Sequence, residues 1–281
     1  MKNPCFWRLA PLFLACQAWG ASIELSGQEH KQGSAITLRF HSQKALSPTA
    51  SGLQQEAAFY LSSVDPTLFY AILAIPLDQK LGRYPVRIKW MEEGQQRIRK
   101  FMVKVSPRAG KLRRVYLPPE ADKAMDSLAL ERPMLDAAFA AAKGPPVWHG
   151  AFVLPVSGEV TTSFGAPRLY LPSKANWRHK GMDLEAPVGT TVVAANDGEV
   201  VLSRQDSKAY GGLIVLSHGY ELCTTYMHLS QTLVKKGEKV VKGQPIAFSG
   251  ASGIATGPHL HWQLDLRGIP IDPGTWVELR K

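Results

Sequence analysis

Cysteine is almost missing from this chain. Of three cysteines in 281 residues, Cys5 and Cys16 fall near the start, and only Cys223 stands in the body of the sequence. A disulfide framework is therefore excluded there, whatever the redox compartment, and Cys223 reads as a buried thiol on a strand. Long apolar runs are also missing after the first twenty residues, so no later segment can span a bilayer as a helix. Charged residues make up only 20%, against 45% hydrophobic, which describes a globular chain. Acidic residues are the scarcer sign, 23 against 33 Lys and Arg, and the net charge of +10 suggests an anionic partner. The basic residues are scattered, the densest clusters being "RIRK" at 97–100 and "KLRR" at 111–114. No zinc-finger, homeodomain or RNP-type pattern accompanies them, so a generally cationic surface fits and a nucleic-acid partner does not.

What is there begins with "MKNPCFWRLAPLFLACQAWGAS": Lys2 and Arg8, an apolar centre, then small residues at Ala18 and Gly20. That layout predicts a secretory signal peptide over 1–20, cut after Gly20. A lipid anchor at Cys16, which follows "FLA", is the less favoured alternative, because Phe13 suits that signal poorly. Cleavage would remove two basic residues and no acidic one, taking the net charge from +10 to +8.

Residues 22–107 read as β structure. Apolar residues alternate in Ile36/Leu38/Phe40, Tyr84/Val86/Ile88/Trp90 and Phe101/Val103/Val105, with turns at Gly82 and "EEGQQ". Short strands with this punctuation predict a small sandwich. His30 and His41 there read as surface residues. Over 108–147 the pattern turns helical and alanine-rich. Pro119 is placed to open one helix, Pro133 a second, and "GPP" at 144–146 to end it: a linker or packing arm. Residues 148–281 return to β-forming runs and glycine turns and hold six of the eight histidines.

The chemistry should lie in that last segment. In "TGPHLHWQLDL", His259 and His261 are two apart and share one face of a strand, with Leu260 and Trp262 on the other. Such a pair can hold a metal together, or divide into one ligand and one proton carrier, or simply face water. Upstream, "RHKGMDLEAPVG" sets His179 four residues before Asp183, and "TYMHLS" puts His228 at a strand end. Two imidazoles and a carboxylate make a three-donor set that leaves a fourth tetrahedral position open, the arrangement of catalytic zinc.

The same residues carry a resemblance. "HKGMD" is similar to the H-x-x-x-D element, and "GPHLHW" to the H-x-H element, of the lysostaphin/LytM-type (M23) metallopeptidases. "VTTSFGAPR", "GTTVVAANDGEVV", "GGLIVLSHG" and "TYMHLS" follow in that family's order. Residues 22 to about 145 resemble the N-terminal immunoglobulin-like domain and helical arm of a Gram-negative subset. The resemblance implies a mainly β chain: an immunoglobulin-like sandwich (22–107), a helical arm (108–147) and an antiparallel-β peptidase domain (148–281). It makes His179, Asp183 and His261 zinc ligands, and His228 and His259 the catalytic histidines. It further implies a monomeric periplasmic or cell-envelope endopeptidase acting on peptidoglycan, with an alanine–diaminopimelate cross-link as first choice. The alternative is a non-catalytic member that activates another wall hydrolase; degenerate members lack a ligand, and this chain lacks none. Lys180, Met182, Leu213 and Ser217 depart from the family's usual residues, which bears on specificity. Tyr226 is placed either to line the cleft or to fill the core, and His218 reads as a turn or packing residue.

Overall fold

The computed structural model describes residues 14–18, by backbone only, together with 21–62 and 65–277. The expected leader lies outside the described residues apart from Leu14–Ala18, a strand antiparallel to Ala21–Leu25. The chain is mostly β and divides into two compact units between Arg108 and Ala109.

The first unit holds two five-stranded sheets. Ile36, Leu38 and Phe40 of Ala35–His41 share one core with Val86, Ile88 and Trp90 of Gly82–Glu92 and with Val103 and Val105 of Gln95–Ser106. The period-two alternation thus turns into an inward face on each strand, and Phe40 meets Trp90 at a centroid distance of 5.2 Å. Tyr84 and Phe101, at the ends of their alternating runs, are only partly buried against this core. His30 is not a surface residue. It is 8% exposed with a ring nitrogen 3.1 Å from the Gly27 carbonyl, and burial lowers its pKa.

The second unit is built on a large sheet that runs Val160–Thr162, Met182–Leu184, Leu260–Leu266, Leu222–Thr232, Gly211–Ser217, Gly198–Ser207 and Lys239–Val240. A smaller sheet joins Arg113–Tyr116, Pro167–Leu171 and Asn176–Arg178. The arm carries helices α1 (Pro119–Ala124) and α2 (Ser127–Ala141). Pro119 opens α1 as expected, at the position where a missing N–H costs nothing. Pro133 does not open a helix; it sits inside α2. An interior proline removes one helical hydrogen bond, at about 3 kcal/mol. Packing offsets that cost: Leu135, Ala138 and Phe139 are buried against Val201, Leu213, Val215, Cys223 and Met227 of the large sheet. At about 1.5–3 kcal/mol per buried large side chain, Leu135 and Phe139 alone outweigh the lost bond. A carboxylate ties the helix down as well. Glu131 accepts from the Ser207 hydroxyl and from the backbone N–H of Lys208, at 3.0 Å, in the turn after Gly198–Ser207. Among the described residues no helix is long and apolar enough to cross a membrane.

Candidate metal centre

Three strands of the large sheet bring the site together. Met182–Leu184 pairs antiparallel with Leu260–Leu266 so that Asp183 stands directly opposite His261. His179 arrives from the end of the neighbouring hairpin, its backbone bonded to Ala166 and Gly165. Gly181 lets the chain pass under the His261 ring: a Cβ there would lie 2.5 Å from the Trp262 carbonyl and 2.7 Å from His261 Nε2.

The donor atoms converge. His179 Nε2 lies 2.9 Å from Asp183 Oδ1 and 3.0 Å from His261 Nδ1, which is itself 3.0 Å from Asp183 Oδ1. His179 Nδ1 lies 3.2 Å from the Ser163 carbonyl, which only accepts, so Nδ1 carries the proton and Nε2 presents a lone pair. Lone pairs and a carboxylate oxygen aimed at one point repel unless a proton or a cation stands between them. Tetrahedral zinc with bonds of about 2.0–2.1 Å spaces its donors about 3.3 Å apart, so these residues fit that ion with a small opening of the triangle. Among the described residues this is the one group of three or more His, Cys, Asp or Glu side chains so arranged.

Burial sets the protonation states. Burial pushes the His179 pKa down to about 4. For Asp183 burial works upward, but a proton shared with the His179 or His261 imidazole holds its carboxyl well below the usual range. Its second oxygen, Oδ2, accepts from the Arg168 guanidinium, which also donates to the Tyr170 hydroxyl at 3.2 Å. Arg168 thereby occupies Oδ2 and leaves Oδ1 to the other donors.

The two remaining imidazoles stand on one side of this triangle. His228 packs on His259 at a centroid distance of 4.9 Å and on His261 at 6.0 Å. His259 Nε2 lies 3.7 Å from Asp183 Oδ1. His228 Nδ1 is 2.8 Å from the Ser252 carbonyl and His259 Nδ1 is 2.9 Å from that of Gly257. Both Nδ1 atoms therefore carry protons, and both Nε2 atoms are free to exchange one. Burial, then the neighbouring His259 and His261, lower His228 to about 3. His228 owes its direction to a bulge: pairing with Gly211–Ser217 slips between Tyr226 and Leu229, and His228 takes a φ of +65°. For a non-glycine residue that backbone costs about 1–3 kcal/mol, a strain characteristic of functional positions.

All five residues singled out from the sequence come together here. The slip at His228 also settles Tyr226, which points to the opposite face, fully buried, and accepts from the Ala195 N–H at 2.8 Å. Tyr226 fills the core. His218 is likewise a packing residue, wholly buried between the Asp197 carbonyl and Thr224, and burial lowers it to about 4. Cys223 is buried on its strand, its thiol pKa pushed up by burial. Sequence reasoning missed Arg168, Gln263 and Asp265. For the last two a signal existed, since they follow His261 at i+2 and i+4 on one strand face. Arg168 reaches Asp183 across a hairpin and left no local trace.

Part of the chain is similar to known peptidases. Residues 177–273 match the profile of Peptidase family M23. The peptidoglycan DD-endopeptidase ShyA of Vibrio cholerae is 43% identical over 113 residues, 40% of this chain and 26% of ShyA. An uncharacterized metalloprotease of Haemophilus influenzae is 45% identical over 97 residues, 34% of this chain and 20% of that one. The chain thus spans about a quarter or less of the length of these relatives. A solved Pseudomonas aeruginosa structure assigned to peptidase M23 superposes with a TM-score of 0.64 at 22% identity, covering 89% of this chain and 95% of its own, which extends the likeness of fold to both units. The likeness to peptidase family M23 thus falls on the histidine-rich segment from Trp177 to Pro273.

Proposed function

We propose that this protein is a zinc metalloendopeptidase of the bacterial cell envelope that hydrolyses peptide cross-links in peptidoglycan. The observation that carries the reading is the triangle of His179 Nε2, Asp183 Oδ1 and His261 Nδ1, with His228 and His259 beside it. A zinc ion held by those three atoms would supply Lewis acidity and a water acidified toward neutral pH. The chain's own contribution is to hold and move protons next to it. His228 and His259, each fixed through Nδ1, offer Nε2 as a proton acceptor or donor, help worth about 10²–10⁴ in rate. Arg168 keeps Asp183 ionised and oriented. ShyA's designation as a peptidoglycan DD-endopeptidase supports an alanine–diaminopimelate cross-link as the bond. The excess of basic residues suits a polymer bearing free carboxylates. The leader-like start supports export to the envelope, and a monomer suffices because one chain carries all five groups.

The test is digestion of purified sacculi by the protein, with and without a chelator, with products identified by mass. Cleaved cross-links that vanish with chelator and return with zinc are expected. Intact cross-links in the presence of zinc would overturn the enzymatic reading and favour a regulator of another hydrolase.

A further inference from the structure

His261, Gln263 and Asp265 alternate along one face of Leu260–Leu266. On the neighbouring strand Met227, Thr225 and Cys223 stand opposite them, and Met227 and Cys223 belong to the cluster roofed by α2. The three polar residues therefore run through a layer that excludes water. Asp265, at its far end, is 1% exposed. Burying a carboxylate costs stability, and a well-packed apolar residue would serve the fold better.

The hydrogen bonds suggest what it is for. In its ionised form the Asp265 carboxylate only accepts, and both its oxygens take the Gln263 amide nitrogen at 2.8 and 2.9 Å. This dictates which end of the carboxamide faces the other way. Gln263 Oε1 is turned to His261 and lies 3.5 Å from its Nε2. An acceptor at that place draws the imidazole proton to Nε2 and leaves the lone pair on Nδ1, the atom that faces His179 and Asp183. With the carboxamide reversed, its NH₂ would face Nε2 and favour the proton on Nδ1, where a metal has to bind.

We propose that Asp265 and Gln263 form a buried relay that positions His261 as an Nδ1 donor to the metal, Asp265 acting only through Gln263. The relay rests on the metal-centre reading above, and is not needed by the fold. Partners of this kind behind a ligating histidine are worth about 10–100-fold in metal affinity.

The experiment measures zinc affinity by chelator competition on the full chain, comparing wild type, Asp265→Asn, Gln263→Met and the double variant. In the zinc-loaded proteins the His261 Nε2–H proton is followed by ¹⁵N-edited NMR. Asparagine keeps the shape of Asp265 but offers one donor and one acceptor, so it no longer distinguishes the two ends of Gln263. Methionine fills the volume of Gln263 without either end. Each single variant should lose about 10–100-fold in zinc affinity, and the Nε2–H resonance should shift upfield or exchange away. The double variant should be no weaker than the worse single, as expected of two links in one chain. Circular dichroism on the same samples identifies any variant that has lost its fold, and Asp265→Asn, which removes a buried charge, should keep it. Unchanged affinity and resonance in both single variants would overturn the relay while leaving the metal centre standing. Losses that multiply in the double variant would also overturn it. A wild-type protein that takes up no zinc would sink the metal centre and the relay together.

Discussion

Both units bury β-sheet faces, but they differ in what else they bury. In the first, the alternating strands deliver Ile36, Phe40, Ile88 and Trp90 to a common core with few polar residues in it. In the second, His179, Asp183, His228, His261, Gln263 and Asp265 are buried among equally apolar strands. Each of those groups is held by a hydrogen bond or an ion pair, and one, His228, also sits in strained backbone. Among its described residues the first unit gathers no comparable cluster of donor side chains. The second gives up stability at one place and recovers it through its other contacts, among them the helix α2 packed across its sheet. Local rules broken at one site of an otherwise regular fold mark that site as functional.

The largest effects should come from breaking the buried polar set. His261→Ala or Asp183→Ala removes one of three donors, and zinc content and sacculus cleavage should collapse together. His228→Ala and His259→Ala remove no donor. Metal stoichiometry should stay near one while the rate falls by about 10²–10⁴. Metal analysis beside kinetics on these four variants separates the roles, and His259→Ala that loses its zinc as His261→Ala does would make His259 a ligand. Gly181→Ala should behave like a ligand variant, because its Cβ would displace the His261 ring.

Next in size are substitutions in the apolar cores, which should act on one unit each. Trp90→Ala in the sandwich and Phe139→Ala in α2 should each cost about 3–5 kcal/mol. Only the second lies in the cluster that includes Met227, the residue opposite His261. Denaturant unfolding read by fluorescence, with zinc content measured in parallel, should find weakened metal binding in Phe139→Ala alone. Loss of zinc from Trp90→Ala would break the contrast between the units. The same reasoning predicts that residues 148–281 alone, without α1 and α2, expose Leu213, Val215 and Met227 and aggregate, whereas residues 109–281 stay soluble.

What could be read from the sequence follows the range of the interactions involved. Period-two alternation is local, so Ile36/Leu38/Phe40 and Val86/Ile88/Trp90 were legible as inward faces. The spacings H-x-x-x-D and H-x-H are local too, and their joint order singled out residues that the fold brings together. Pro133 misled because its local signal, a helix start, was overridden by packing of Leu135 and Phe139 against another element. Tyr226 was ambiguous for a similar reason: the bulge that turns His228 away from its face is set by pairing with a strand some fifteen residues earlier. Arg168 and the arm's attachment through Glu131 depend wholly on contacts between distant segments.

The smallest effect sharpens the comparison through pH, in the metal-free protein. His218 titrates near 4 in the fold against an ordinary 6.5. Between those values the unfolded chain binds a proton that the native one refuses, so stability is full above pH 6.5 and is lost as pH falls to 4, by up to roughly 3 kcal/mol. His179 and His228, lowered to about 4 and about 3, act in the same direction. Asp265 acts the other way. Burial raises it from 3.8 to about 7, so its charge destabilises the native state above pH 7 and that penalty is relieved as pH falls toward 4. The opposing contributions leave wild type with a moderate acid loss. Asp265→Asn removes the relief but also the original penalty. At pH 8 the metal-free variant should therefore be more stable than wild type, and its stability should fall more steeply between pH 7 and 4. Urea midpoints across that range, for both proteins, measure the two slopes. Parallel slopes, or a variant less stable at pH 8, would mean that the Asp265 carboxyl is not a buried charge that costs this unit stability.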